Sequence, residues 1–196
     1  QAAEGTKLAV LPGMEVQTRE EVHLLAIFDR VDSALRLQRK VYEVLPDMVN
    51  RPEHWGVQLV VDSAGDLVGE NTRLLQTSAD LTVEQAVDLV KGEGGLCLAA
   101  HVDRPSFSII ANLGFIPPGL PLDGLGITRR ADASKWMAGR ADVRRFGVGC
   151  FGDAHRLRDL SNRTRCLMQS VSVDELARAF RGERGRRVCI LPACDD

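Results

Sequence analysis

Apolar residues in this chain arrive in short runs, and between the runs they recur at helical spacing. Lys7–Leu11, Val22–Phe28, Leu96–Ala100, Leu125–Thr128, Val148–Phe151, Arg163–Met168 and Val188–Leu191 are short apolar stretches that read as buried strands. The first ends at Pro12-Gly13, a turn signal. Asp32 is a candidate cap for a helix carrying Leu35, Val41, Tyr42 and Leu45. Thr82 with Gln85, and Ser172 with Glu175, have the spacing of capping boxes, in which each side chain bonds the other residue's backbone N–H. Short helices are expected over Ser106–Leu113, with Gly114 as C-cap, and over Ala133–Gly139. Short strands alternating with helices predict an α/β fold with a mostly parallel sheet. Residues 46–80 interrupt the alternation with a polar loop and a hairpin, in which Ser63-Ala64-Gly65-Asp66 supplies the turn after Val57–Val61.

Composition narrows the function classes. The 196 residues fit one domain spanning 1–196, and 44% apolar against 27% charged residues excludes disorder. Twenty-five basic and 27 acidic residues leave a net charge of −2, which does not ask for nucleic acid as a bulk electrostatic partner. No apolar run approaches the ~20 residues that a membrane helix needs, so no membrane partner is expected. The first residues carry no signal-peptide pattern. The cysteines stand at 97, 150, 166, 189 and 194, an odd count without a CxxC pair, so a reducing cytoplasm is the expected compartment. Cys97, Cys150 and Cys189 lie in apolar runs and read as small buried hydrophobes. Cys189 and Cys194 fit no standard zinc spacing.

Parallel sheets place chemistry at the C-terminal ends of their strands. The polar residues there are Glu15, then His101, Asp103 and Arg104, then Asp153 and His155, while His23 lies inside a run. Asp153 and His155 are spaced i, i+2, so in extended chain they point the same way. Mixed imidazole and carboxylate donors suit Zn, Mn or Fe, and Glu15 can bridge two cations. His54 reads as a solvated loop residue, and Glu20 and Glu21 as acids on a solvent-facing turn. No P-loop, no GxGxxG after the first strand and no GxSxG occur. Basic clusters at Arg156–Arg165 and Arg178–Arg187 read as solvated faces or as a phosphate or acidic-partner site.

Pro12-Gly13-Met14-Glu15-Val16, His23-Leu24-Leu25, Ala100-His101-Val102-Asp103-Arg104-Pro105 and Gly152-Asp153-Ala154-His155 occur in that order. Together they resemble the PHP family, named for polymerase and histidinol phosphatase domains, from Leu8 to about Val188. The resemblance implies a distorted (β/α)7 barrel and metal-dependent hydrolysis of a phosphate ester by two or three divalent ions of Zn, Mn or Fe. Metal ions in that role neutralise phosphoryl charge and supply the nucleophile. By motif, Glu15, His23, His101, Asp153 and His155 would be ligands, and Arg19 and Arg104 would bind the substrate phosphate. The implied substrate is a phosphorylated small molecule or nucleotide, with nucleic acid only as a strand end. Gly152 stands where the family often has Ser. The family's opening His-x-His and Asp-His motifs are missing from this sequence. The expected barrel is therefore incomplete, with open sheet edges that invite homo-oligomerisation. The missing motifs also keep a second expectation in view, a non-catalytic metal-binding or structural module.

Overall fold

The computed structural model describes residues 3–128, 133–138, 140, 142–160 and 163–191. Their elements follow one another as β1 (Gly13–Gln17), β2 (His23–Ile27), α1 (Val31–Glu43), α2 (Pro52–Trp55), β3 (Leu59–Val61), β4 (Leu67–Glu70), α3 (Val83–Gly92), β5 (Leu96–Ala99), α4 (Ile109–Leu113), β6 (Gly124–Thr128), α5 (Ala133–Met137), β7 (Gly147–Phe151), β8 (Thr164–Leu167), α6 (Val173–Arg181) and β9 (Arg187–Ile190).

Five strands form one sheet in the order β1-β2-β5-β6-β7. The fold is α/β, and the expected parallel pairing holds for β5, β6 and β7. β1 and β2 pair antiparallel instead, because a tight turn rather than a crossover joins them, and β2 also pairs antiparallel with β5. The sheet is open, with β1 and β7 as edges, so the expected barrel is not closed among the described residues. β3–β4 and β8–β9 are separate two-stranded ribbons.

Alternation splits the sheet's side chains between two cores. Val16, Leu24, Ala26, Cys97, Ala99, Leu125 and Ile127 pack with Leu37 and Val41 of α1 and Val83, Val87 and Val90 of α3. Leu96 and Leu98 point the other way and pack with Val173, Ala177 and Phe180 of α6. β5 is therefore buried on both faces, which is why it reads as an unbroken apolar run. α6 covers only part of the second face, and the uncovered part becomes the cavity described below.

Several local expectations change. Lys7–Leu11 is not a strand: Leu8 and Val10 are exposed, and Pro12-Gly13 opens β1 rather than turning. The ladder fixes this, since Gly13 pairs with Ile27 and Phe28 N–H donates to Pro12 O, leaving no partner for residues 7–11. Asp32 is not the cap of α1. Arg30 stands at the N-cap without a side-chain bond, and Asp32 lies in the first turn, where its charge suits the helix dipole. The Thr82–Gln85 capping box forms in full. At Ser172 only half forms: Ser172 Oγ accepts from Glu175 N–H, while the Glu175 carboxylate accepts from Gln169 N–H and from Arg186. His54 sits in the short helix α2, and Cys189 is exposed rather than buried. Cys194 and Gly139 lie outside the described residues.

Candidate metal centre

The β1–β2 register sets Gln17 opposite His23 and Glu15 opposite Leu25. Side chains two apart share a face, so Glu15, Gln17 and His23 lie on the face that α6 leaves open. The connecting turn is fixed by Glu20. Its carboxylate accepts from Thr18 Oγ1 (2.7 Å) and from the Val83 N–H at the start of α3 (3.1 Å).

His101 arrives from β5. Ala100 N–H still donates to His23 O (3.0 Å), whereas Val102 N–H donates to Gly126 O (3.0 Å) on the other neighbour. Between them His101 adopts φ +58°, the left-handed region. Asp103 holds this corner against β6, its carboxylate accepting from Thr128 N–H (2.9 Å) and Thr128 Oγ1 (2.6 Å).

Three donor atoms meet at the corner. His23 Nδ1 lies 3.2 Å from Glu15 Oε1 and 3.2 Å from His101 Nε2, and His101 Nε2 lies 3.3 Å from Glu15 Oε1. Metal–nitrogen bonds of about 2.0–2.1 Å at tetrahedral angles separate neighbouring ligand atoms by about 3.3 Å, so the triad has the spacing of one coordination face. These are the three residues that meet the geometry of a metal cluster among the described residues.

The protons sharpen this reading. Gln17 Nε2 donates to Ser78 Oγ (2.8 Å), which turns Gln17 Oε1 towards His23 Nε2 at 3.0 Å. Gln17 thereby holds the Nε2 side of the ring, and Nδ1 faces the Glu15 carboxylate. Burial pushes the Glu15 carboxyl up, but hydrogen bonds and charge interactions with His101 and His23 outweigh it and hold its pKa at about 2. A carboxylate oxygen and an imidazole nitrogen at 3.2 Å are bridged either by a proton or by a metal ion. His101 is buried, and its Nδ1 has no hydrogen-bond partner.

Phe107 closes one side. Its ring stacks on His23 with centroids 4.9 Å apart, and its carbonyl accepts from His23 N–H (3.1 Å). It does so at φ +56°, a conformation that costs a bulky residue about 1–3 kcal/mol. His101, Phe107 and Asp153 are three of the five non-glycine residues with positive φ among those described, so backbone strain gathers at this corner.

The other sequence candidates are placed as follows. Asp153 (φ +46°) lines the same cavity of about 230 Å³ as Glu15 and His101, and its carboxylate pairs with Arg104 at 2.8 Å. His155 stands outside the triad: its ring is 81% exposed, and Nδ1 lies 2.9 Å from the Asp153 carbonyl. Arg19 pairs with Asp80 at 2.7 Å and lines a separate groove with Glu43 and Pro46. The cavity's remaining walls are apolar, chiefly Leu25, Ile27, Leu98 and Phe151. Phe151 fits there because Gly126 and Gly149 leave room, as a Cβ on either would lie within 2.8 Å of its ring.

Sequence reasoning missed Gln17, Ser78 and Phe107. Gln17 carried a signal, lying two residues from Glu15 on one strand and hence on the same face. Ser78 and Phe107 carried none, since both reach His23 only through tertiary contacts.

No family model matches the chain, and no curated protein matches it. Two solved structures share its fold. One is the lesion-specific endonuclease PfuEndoQ from Pyrococcus furiosus, with TM-score 0.57 and 19% identity over 90% of this chain and 40% of that one. The other is Endonuclease Q in complex with a 27-mer duplex substrate with an abasic lesion at the active site. There the TM-score is 0.54 and the identity 18%, over 89% of this chain and 40% of that one. At these identities the likeness establishes the fold. The chain spans about two fifths of the length of those proteins. No helix among the described residues is long and apolar enough to cross a membrane.

Proposed function

We propose that this chain carries the metal centre of a phosphodiesterase that acts on nucleic acid. The observation that carries the reading is the triad of Glu15, His23 and His101, whose donor atoms lie 3.2–3.3 Å apart. Two lines of support agree with it. The motifs resemble those of PHP phosphoesterases, and the fold is shared with proteins named as endonucleases. The comparisons lend no support to a phosphorylated small molecule as the substrate.

In this reading Glu15, His23 and His101 hold a divalent ion, and Asp153 and His155 on the loop after β7 add ligands for a second. When bound, such ions neutralise charge on the phosphoryl oxygens and supply a nucleophile at neutral pH. The chain's own groups do the rest. Ionised Glu15 draws the cation in, Gln17 keeps His23 Nδ1 facing it, and Phe107 fixes the ring's tilt. Arg104, paired with Asp153 of the cavity lining, offers its guanidinium to the phosphate. Leu98 and Phe151 seat the uncharged part of the substrate and exclude water.

The test is hydrolysis of bis(4-nitrophenyl) phosphate and of a labelled DNA duplex by the chelator-treated chain, with Mn or Zn added back. Metal-restored cleavage that falls to background in His101→Ala supports the reading. Tight metal binding with no turnover of either substrate overturns it in favour of a non-catalytic metal module.

A further inference from the structure

The net charge of −2 hides a segregation. Residues 1–128 hold ten basic and eighteen acidic residues, and residues 129–196 hold fifteen basic and nine acidic. The positive part of the chain includes β7, which leads to Asp153, and the β8–β9 ribbon beside it.

That ribbon is amphipathic. Val188 and Ile190 turn inward onto the two cores, while Arg165, Leu167, Arg187 and Cys189 are exposed. The register pairs Arg165 with Cys189 and Leu167 with Arg187, so the two arginines are diagonal neighbours on one outward face. Diagonal pairs on antiparallel strands lie about 7–8 Å apart. Neither guanidinium has an acidic partner among the described residues, unlike Arg178, Arg181 and Arg186, which pair with Asp174, Glu183 and Glu175.

The ribbon is also tied to the site. Thr164 Oγ1, one residue before Arg165, donates to Cys150 O (2.6 Å) and accepts from Cys150 N–H (2.8 Å). Cys150 precedes Phe151, which lines the cavity. Exposed Arg156 directly follows His155. Two guanidiniums without an acidic partner among the described residues, on a ribbon fastened to the strand that leads to Asp153, serve little purpose for a small phosphate ester, which would be swallowed by the cavity. They suit a polyanion that extends past it.

We infer that the outer face of β8–β9, with Arg165 and Arg187 as its anchors, is a backbone-binding surface for a nucleic acid strand running out of the metal centre. The inference rests on the phosphodiesterase reading for its choice of polyanion. Its contacts are to phosphate and are independent of sequence.

The test is fluorescence anisotropy of a labelled DNA duplex with the full chain across a salt series. It compares wild type with Arg165→Gln/Arg187→Gln, and takes Arg30→Gln as an exposed control from the acidic part. The double variant should bind more weakly at every salt concentration. Its slope of log affinity against log salt should be shallower by about 2, one counterion for each lost contact. The control should match wild type, and hydrolysis of bis(4-nitrophenyl) phosphate should be unchanged in both variants. A double variant with the wild-type affinity and slope overturns the inference. So does capture of anionic phosphatidylserine vesicles through these arginines with no retention of duplex. Wild type that binds duplex through Arg165 and Arg187 yet leaves the small diester intact sinks the phosphodiesterase reading and leaves the surface standing.

Discussion

Glu15 and His23 lie eight residues apart on the two strands of one hairpin, and the hydrogen bonds around them aim their donor atoms at one point. Gln17 orients His23 by engaging Nε2 at 3.0 Å, and Ser78 holds Gln17 in turn at 2.8 Å. Removing such an orienting group typically lowers metal affinity 10–100-fold. Gln17→Leu should therefore weaken Zn binding by about that factor in a competition titration with a chromophoric chelator, while the melting temperature of the metal-free chain changes little. Unaltered affinity would mean that His23 needs no partner to present Nδ1. Phe151 gives a second residue-scale prediction. A Cβ on Gly149 would come within 2.6 Å of its ring, so Gly149→Ala should displace Phe151 and narrow or reshape the cavity. A structure of Gly149→Ala with Phe151 unmoved would contradict this.

At the scale of elements, α6 decides how much of the second face is covered. Phe180 is 5% exposed and anchors the helix against Leu96 and Leu98. Phe180→Ala should cost about 3–5 kcal/mol in urea unfolding, the usual range for a buried phenylalanine. Glu175 ties the same helix to the start of β9 through Arg186, both bonds being 3.0 Å. Its hydrogen bonds from Arg186 hold the Glu175 carboxyl below the ordinary value of 4.5. The unfolded chain thus binds the proton more readily than the folded one, so this contribution is full above 4.5 and is lost as the pH falls through the lowered folded value. Glu175→Gln should melt below wild type at neutral pH, and the gap should close in acid. A gap that persists under acid conditions would assign the effect to packing. These elements also show what was legible in the sequence. Strands buried on both faces, such as β5, and helices with complete side-chain caps, such as α3, announce themselves through composition and spacing. The start of β1 did not, because apolar Lys7–Leu11 resembles a strand locally and only the length of β2 denies it a partner. The antiparallel pairing of β2 with β5 was hidden for the same reason: strand direction is decided by which neighbours are available, and no local pattern encodes it. Of the site, Glu15, His23 and His101 were legible as motif residues and converge. His155 was equally legible by spacing, and the left-handed turn at Asp153 sets its ring outside the triad, on the loop after β7.

On the scale of the whole molecule, the total charge was the wrong quantity to read. A value of −2 averages an acidic stretch that builds α1, α3 and the β3–β4 ribbon with a basic one that builds β7, β8 and β9. The β3–β4 ribbon is a separate matter. Leu59, Val60, Val61, Leu67 and Val68 are all about half exposed or more, on a two-stranded ribbon that no further strand joins among the described residues. Such ribbons promote association. Val60→Lys/Val68→Lys should raise solubility in a concentration series and leave Zn affinity unchanged, and lower solubility would show that these side chains are needed for folding. The central claim concerns the other end of the molecule, where three strands deliver Glu15, His23 and His101 to one point. The most direct measurement is the metal content of the purified 196-residue chain by elemental analysis, alongside Glu15→Ala. Near-stoichiometric Zn, Mn or Fe in wild type, lost in Glu15→Ala while the fold persists by circular dichroism, is the predicted result. A chain that binds no metal above background, or one that keeps its metal without Glu15, would contradict the account.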